Sequence, residues 1–160
     1  QPGMLRAFSR LSREVIGVPG KVPLALKRLI AHVASRSAGC RYCMAHTAES
    51  AAAIDGVDPA KIAAIFDYER SDLFSDAERA ALCVAQGAGQ VPNMVTDADM
   101  DALKRHFDED QIVEIVGVIC LFGWLNRFND TMATGLEPQP RGFAETHLAP
   151  SGWDIGKHGG

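Results

Sequence analysis

Apolar side chains recur along most of the chain at intervals of three and four residues, the spacing that places them on one face of an α-helix. In the first segment this spacing links Leu5, Phe8, Leu11 and Val15. No segment alternates apolar and polar residues over four to eight positions with an enrichment in β-branched residues, as a half-buried strand would. The pattern therefore predicts an all-α fold.

Breaks in this pattern mark the ends of the predicted helices. Gly39 and Gly56 are typical stops, because glycine readily adopts the left-handed conformation that ends a helix. Three helix starts carry the residue pattern of a capping box, and the pairs are Ser75 with Glu78, Thr96 with Asp99, and Asp108 with Gln111. The predicted helices span residues 4–16, 23–38, 40–54, 58–66, 75–83, 96–107 and 112–132.

Length and composition fit a single domain over residues 1–160 with a packed core. Hydrophobic residues make up 47% of the chain and charged residues 22%, which is not the composition of a disordered protein. From Glu137 onwards the chain holds several prolines and glycines. We therefore expect an extended arm or a partly ordered terminus over residues 137–160.

Charge and hydropathy exclude several classes of partner. The net charge of −4 argues against nucleic acid, because nucleic-acid-binding domains carry basic surfaces. The longest apolar run, residues 115–125, falls short of the ~20 residues that a membrane span requires. The first residues lack the charged region and apolar stretch of a signal peptide. We expect a cytoplasmic protein with no membrane partner.

The segment 37–49 carries the most distinctive chemistry, a Cys-x-x-Cys pair formed by Cys40 and Cys43. Residues three apart share a helix face, so the two sulfurs can form a disulfide with little backbone movement. The first turn of a helix also favours thiolate over thiol. His46 lies one turn beyond Cys43 and can exchange a proton with it, and Glu49 can orient the His46 ring. These are the parts of a dithiol peroxidase or a disulfide reductase.

Two other interpretations of the pair stay open at this point. Zinc is one, since Cys40, Cys43, His46 and His32 offer four ligands of the types that zinc prefers. However, a structural zinc site usually takes its second pair of ligands from a distant segment, and the chain has no second Cys-x-x-Cys. Alternatively, the pair senses oxidants in a binding or scaffold protein without fast turnover. The other two cysteines lie in apolar helical segments and are expected to be buried.

The sequence around the pair resembles a known family. Leu29-Ile-Ala, followed by Ser37-Ala-Gly-Cys-Arg-Tyr-Cys-Met-Ala-His-Thr, is similar to the core motif of the alkyl hydroperoxidase D (AhpD)-like, carboxymuconolactone decarboxylase superfamily. The resemblance is to the uncharacterised peroxidase-related branch, and it extends more loosely to residues 126–132 and 136–138. It implies an all-α AhpD-like domain that assembles as a homotrimer or a homohexamer.

The activity that the resemblance implies is thiol-dependent reduction of small alkyl hydroperoxides, with no bound cofactor and no metal. In that family the second cysteine attacks the peroxide and the first resolves it. Carried over, Cys43 would be the peroxidatic residue and Cys40 the resolving one. An external dithiol or a thioredoxin-like protein would then reduce the disulfide. The decarboxylase members use no cysteine pair, so this pair argues against decarboxylation here.

Two departures from the family pattern concern proton transfer. Two residues, not three, separate the second cysteine from the histidine. The family also carries a proton-relaying glutamate twelve residues before the first cysteine, and this position holds Arg28. His32, one turn later on the same face, is a candidate replacement, as are Glu49 and Glu14. The predicted catalytic residues are Cys43, Cys40, His46, His32 and Glu49.

Overall fold

The computed structural model describes residues 1–54 and 56–160, and every regular element within them is helical. In chain order the α-helices are α1 Pro2–Ser12, α2 Leu24–Ser37, α3 Arg41–Ala53, α4 Pro59–Ala63, α5 Asp76–Ala88, α6 Asp97–Lys104, α7 Glu109–Met132 and α8 Pro138–His147. A π-helical turn, Arg13–Gly17, follows α1. Single 3₁₀ turns are Ala64–Asp67, Ala149–Ser151 and Gly156–His158. The all-α prediction is confirmed.

Helix α2 forms the centre of the fold and packs against α3, α5 and α7. Its apolar residues Leu26, Leu29, Ile30 and Val33 share one face and are all buried. Every residue from position 29 to position 35 is buried, so this part of α2 is enclosed on all sides. The cysteine-bearing helix α3 packs in turn against α2, α7 and α8. Three neighbouring helices therefore surround the segment that carries the candidate chemistry.

The turn between α2 and α3 is short and places the cysteine pair at the start of α3. Gly39 has a φ of +75°, a left-handed conformation that favours glycine. Cys40 is the N-cap residue of α3, and its backbone N–H donates to the carbonyl oxygen of Ser35 at 3.0 Å. The predicted position of the pair at a helix N-terminus is confirmed.

All three predicted capping boxes are present. In each, the side chain of the cap residue accepts a hydrogen bond from the backbone N–H three positions later, and the later side chain accepts one from the cap backbone. These reciprocal bonds satisfy backbone donors that the helix itself leaves unpaired. They fix the starts of α5, α6 and α7.

The tail does not form the extended arm expected from its prolines. Its first part is α8, which packs against α3. Pro138 and Pro140 lie in the first turn of that helix, where a missing N–H breaks no intrahelical hydrogen bond. Further on, the buried Trp153 donates from its indole Nε1 to the carbonyl oxygen of Arg41 at 3.1 Å. The C-terminal segment thus folds over the start of α3.

Helix α7 buries one face and exposes the other. Ile115 and Val118 are fully buried on the inner face. The outer face carries a row of exposed residues spaced four apart, the α7 stripe, which consists of Val116, Cys120, Trp124, Phe128 and Met132. The expectation that the remaining cysteines are buried was therefore wrong for Cys120, which lies on this stripe, and Cys83 is only half-buried.

By length and composition alone, α7 is apolar enough to cross a membrane, with a mean hydropathy of 1.4 over its most apolar stretch. One third of that stretch, 33%, is buried within the fold. The core helix of a water-soluble protein meets the same two criteria, so this is weak evidence for a membrane span.

An ion pair with a buried ammonium group connects helix α7 to α2 and to the loop that precedes α2. Lys27 is 2% exposed, and its Nζ lies 2.9 Å from Oε2 of Glu114 and donates to the carbonyl oxygen of Val15 at 3.0 Å. The Glu114 carboxylate also accepts the backbone N–H groups of Lys21 and Val22 at 2.8 and 3.1 Å. Burial opposes ionisation of this carboxyl, but these N–H groups and Lys27 hold the pKa of Glu114 below its ordinary value.

Glu114→Ala is expected to lower the free energy of unfolding by about 3–5 kcal/mol, because the Lys27 ammonium would stay buried without its counter-charge. Equilibrium denaturation with urea measures the change. Asp110→Ala is the matched control, since Asp110 is an exposed carboxylate one turn earlier on α7 that also pairs with a lysine. Its effect should stay within about 1 kcal/mol. Equal losses in the two variants would contradict this account of the ion pair.

Candidate active site

The two sulfurs of the Cys-x-x-Cys pair lie inside the protein at the first turn of α3. Cys40 is 0% exposed and Cys43 is 2% exposed. As the N-cap residue, Cys40 accepts the backbone N–H of Cys43 on its Sγ at 3.4 Å. Both cysteines are free thiols in this structure. The geometry therefore gives Cys40 the place where a helix best stabilises negative charge.

The two thiols differ in the direction of their pKa shifts. Hydrogen bonding to the Cys43 side chain and backbone N–H lowers the pKa of Cys40, against the opposing effect of burial. The same side-chain hydrogen bond, together with burial, raises the pKa of Cys43. Of the two thiols, Cys40 is therefore the more acidic, because the hydrogen bonds at the start of α3 stabilise its thiolate.

Asn129 of α7 reaches the Cys43 sulfur from the opposite side. Its Nδ2 donates to Sγ of Cys43 at 3.7 Å, a contact that works against the raised pKa of that thiol. Its Oδ1 accepts a hydrogen bond from the Thr134 hydroxyl at 3.0 Å, which fixes the orientation of the amide. One polar residue of α7 is therefore aimed at the reactive pair.

His46 pairs with a carboxylate that the sequence analysis did not single out. Its Nε2 lies 2.7 Å from Oε2 of Glu137, and the Tyr42 hydroxyl donates to the other carboxylate oxygen at 3.2 Å. The Tyr42 and His46 rings are in contact, with centroids 4.4 Å apart. Burial and the nearby Glu137 charge raise the pKa of Tyr42 to about 12, so it stays a hydrogen-bond donor.

Glu49 was expected to orient the His46 ring, but Glu137 is the carboxylate that contacts it. The Glu49 carboxylate instead accepts a hydrogen bond from Nε2 of Gln139 at 2.6 Å. Glu137 lies 91 residues from His46 in sequence and immediately precedes α8. Glu137 lies within the segment 136–138 over which the family resemblance extends, but nothing near it in the sequence pairs it with His46, since the tail was expected to be an extended arm or a partly ordered terminus.

His32 is buried behind α3. Its Nδ1 lies 3.1 Å from the carbonyl oxygen of Met44 and 3.0 Å from the hydroxyl of Thr47, which in turn donates to the carbonyl oxygen of Cys43 at 2.7 Å. Its Nε2 is buried without a hydrogen-bond partner among residues 1–54 and 56–160. In this arrangement His32 supports the backbone of α3 and does not reach the sulfurs.

Burial lowers the pKa of His32 to about 4, so the folded protein keeps this ring neutral. Because the unfolded chain binds the proton near pH 6.5, the contribution to stability is complete above that pH and is lost as the pH falls toward 4. Between pH 6.5 and pH 4, this titration should lower the free energy of unfolding of the wild-type protein by about 3 kcal/mol. We expect His32→Asn to lack this loss. Urea denaturation at several pH values measures it. His106→Asn, at an exposed histidine, should leave the slope unchanged.

A cavity of about 230 Å³ opens onto the Cys43 side of the pair, between α2, α3 and α7. Its walls are formed by Arg28, Tyr42, Cys43, His46, Thr47, Ser50, Phe122, Leu125 and Asn129. Cys40, His32, Glu49 and Glu14 do not line it. The cavity therefore brings Cys43 and His46 together with Arg28, the residue that occupies the position of the family's glutamate.

The zinc alternative finds no support in this geometry. Within the described residues, no group of three or more His, Cys, Asp or Glu side chains is arranged to hold a metal ion. His32 is engaged with the backbone of α3, and His46 with Glu137. The four ligands considered from the sequence do not converge.

Comparison with known proteins gives the family. The model of the carboxymuconolactone decarboxylase family matches residues 2–87, which is more than half of the chain and includes the cysteine pair. The chain belongs to the carboxymuconolactone decarboxylase family. Among curated proteins, this family member is 37% identical over 93 residues to YnjA of Escherichia coli K12, an uncharacterised protein. That match covers 58% of this chain and spans half the length of YnjA.

Two solved structures are similar to this chain over most of its length. The debrominase Bmp8 without ligand is 33% identical, with a TM-score of 0.84 over 90% of this chain and 76% of Bmp8. Bmp8 with one cysteine replaced by alanine, in complex with 2,3,4-tribromopyrrole, is 32% identical, with a TM-score of 0.85 over 91% and 77% of the two chains. These relatives show that the family member resembles an enzyme over most of its length.

A more distant structure shares the fold alone. An uncharacterised peroxidase-related protein from Ralstonia eutropha JMP134, with an alkylhydroperoxidase AhpD core, is 23% identical. Its TM-score is 0.72, over 82% of this chain and 69% of the other. The AhpD-like fold expected from the sequence is confirmed.

Proposed function

We propose that this family member is a thiol-dependent oxidoreductase that reduces small hydroperoxides through the Cys40–Cys43 pair. One observation supports the division of roles: Cys43 lines the cavity and Cys40 does not. A substrate in the cavity therefore meets Cys43 first. Cys40 lies behind it at the helix N-terminus, where it can complete a disulfide.

The reaction begins with a proton transfer within the pair. The Cys43 thiol passes its proton to the Cys40 thiolate, which makes Cys43 the nucleophile. The Cys43 sulfur then attacks the terminal peroxide oxygen, the O–O bond breaks, and the products are a Cys43 sulfenic acid and an alkoxide. The alkoxide takes up a proton and leaves as the alcohol. Cys40 next attacks the Cys43 sulfur, so a disulfide forms and water leaves.

His46 and Glu137 supply the proton that the alkoxide needs. His46 lines the cavity, and its Nε2 faces Glu137. Burial opposes ionisation of the Glu137 carboxyl, but hydrogen bonds from its own backbone, His46 and Tyr42 lower its pKa. The carboxylate thus holds its negative charge beside His46 and fixes the orientation of the ring, which can pass a proton to the leaving oxygen.

The reductant and the oligomeric state are proposed from the family resemblance, and the cellular location is the one expected from the sequence. An external thiol reductant, expected there to be a dithiol or a thioredoxin-like protein, would restore both thiols. The α7 stripe is an exposed apolar row of the kind that subunit interfaces cover, which supports self-association. The homotrimer or homohexamer itself is what the family resemblance implies. A cytoplasmic location would keep the pair reduced between turnovers.

Reductive debromination is a second candidate function. The specific observation is the similarity to Bmp8, a debrominase, over 90% of this chain at 33% identity. The cavity also offers the rings of Tyr42, His46 and Phe122, which suit a small aromatic heterocycle. The electron balance is the same: the carbon–bromine bond is replaced by carbon–hydrogen, bromide leaves, and the two thiols become a disulfide.

Parallel substrate assays distinguish these candidates. The reduced protein is mixed with cumene hydroperoxide or with 2,3,4-tribromopyrrole, and cumyl alcohol or bromide release is measured against disulfide formation. We expect one alcohol per disulfide within seconds to minutes. Bromide release without peroxide turnover would replace the first proposal with the second. Slow reaction with both, coupled to a change in oligomer size, would favour an oxidant sensor.

A further inference from the structure

The reduction of the Cys40–Cys43 disulfide poses a problem of access. Both cysteines are buried, so neither sulfur is presented at the protein surface. Thiol–disulfide exchange requires the attacking sulfur to approach one sulfur of the bond directly. A folded protein reductant would have to bring its own cysteine to a sulfur that lies below the surface. Assembly into an oligomer could only add to this burial.

The C-terminal segment packs over the start of α3 and helps to bury Cys40. The indole of Trp153 donates to the carbonyl oxygen of Arg41, one residue beyond Cys40. The Arg41 guanidinium in turn pairs with Asp154 at 2.6 Å. Two contacts from the tail therefore hold it against the first turn of α3, where Cys40 is fully buried.

A larger cavity at the start of α3, lined by Gly39, Arg41 and Trp153 among others, does not have Cys40 in its wall. The cavity beside Cys43 does have a cysteine of the pair in its wall, so it provides an approach to the disulfide. Its volume of about 230 Å³ is below the ~300–1,000 Å³ of pockets that hold drug-sized ligands, so it accepts a slender molecule. A thiol within it meets the Cys43 sulfur, since Cys43 is the cysteine in its wall. Attack there expels Cys40, and the helix N-terminus together with the Cys43 backbone N–H stabilises the leaving thiolate.

We infer that the reductant of this pair is a low-molecular-weight thiol that enters the cavity and attacks Cys43, not a thioredoxin-like protein. In the first exchange the thiol forms a mixed disulfide with Cys43, and Cys40 leaves and takes up the proton. A second thiol molecule attacks the mixed disulfide, so the free disulfide of the small thiol departs and Cys43 becomes a thiol again. This inference rests on the proposed redox pair.

The test uses full-length protein whose pair has been oxidised with diamide, so that it does not depend on peroxide turnover. Peptide mass spectrometry follows the Cys40–Cys43 disulfide during treatment with L-cysteine, or with thioredoxin, its reductase and NADPH. We expect L-cysteine to reduce the pair at least as fast per mole as thioredoxin. Faster reduction by thioredoxin would overturn the inference and leave the proposed function intact. Failure of diamide to form the disulfide would overturn both.

Two variants locate the attack. In Cys40→Ser treated with L-cystine, the mixed disulfide should accumulate on Cys43. Ser50→Trp, which places a large ring in the cavity wall, should slow reduction by L-cysteine about tenfold or more by restricting access. Ser9→Trp on the exposed face of α1 is the matched control and should leave the rate unchanged. Equal rates in the two tryptophan variants, both folded by circular dichroism, would contradict entry through the cavity.

Discussion

Cys43→Ser is expected to abolish turnover of hydroperoxide, with a loss of at least about a thousandfold, because a removed nucleophile leaves only binding and weak electrostatic effects. The serine hydroxyl fits the space of the thiol and can still accept the hydrogen bond from Asn129, so the fold should be preserved. It cannot become a sulfenic acid, and no disulfide with Cys40 can form. Peroxide consumption under steady-state conditions measures the loss.

Cys40→Ser is the informative partner of that variant. Cys43 should still be oxidised once, but its sulfenic acid should persist because no second thiol is available to resolve it. Labelling with dimedone, followed by peptide mass spectrometry, detects it at Cys43. Cys83→Ser serves as the control for a half-buried thiol outside the site. Full peroxide turnover by Cys43→Ser, or dimedone labelling at Cys40 in wild-type protein, would reverse the roles proposed for the pair.

His46→Asn is expected to lower the rate of turnover by about 10²–10⁴-fold, the usual contribution of a positioned acid or base. Glu137→Gln should give a smaller loss, since it keeps a polar partner for Nε2 of His46 but removes the negative charge beside the ring. Rapid-reaction measurements of the first oxidation step, over a range of pH, separate this effect from slow reduction of the disulfide.

Gln139→Ala is the matched control for Glu137→Gln. Gln139 lies in the first turn of α8, two residues after Glu137, and bonds to Glu49, outside the cavity. Its loss should leave the rate and the pH profile unchanged. If Glu137→Gln keeps the wild-type rate and pH profile while His46→Asn does not, the carboxylate has no part in proton transfer.

The parts of the site that could be predicted from the sequence are those fixed by local interactions. A glycine stop, a cap residue and a three-residue spacing place Cys40 and Cys43 at the start of α3, and all three features lie within a few residues of one another. The capping boxes are equally local, so the starts of α5, α6 and α7 were also predictable.

The contacts that complete the site depend on the tertiary fold. Glu137 meets His46 because α8 packs on α3, and Asn129 meets Cys43 because α7 packs on α3. The spacing of apolar residues along the chain carries no information about such contacts between distant segments. His32 was proposed to relay protons because it lies one turn after Arg28 on the same face of α2. In the folded protein its ring instead contacts the backbone of α3.

The sequence also could not show which cysteine of the pair is the more acidic. Residue spacing suggested that the helix N-terminus would favour a thiolate, but it could not say at which cysteine. Hydrogen bonds lower the pKa of Cys40, whereas Cys43 is the cysteine that lines the cavity. The accessible cysteine and the more acidic cysteine are therefore different residues. In the proposed mechanism, a proton passes from Cys43 to Cys40 before Cys43 attacks.

A count of free thiols before and after one equivalent of cumene hydroperoxide tests the central claim most directly. The account predicts the rapid loss of two thiols in wild-type protein, no such loss in Cys43→Ser, and recovery of both thiols on addition of dithiothreitol. Loss of no thiols, or the same loss in Cys43→Ser as in wild-type protein, would contradict a Cys40–Cys43 redox pair that acts through Cys43.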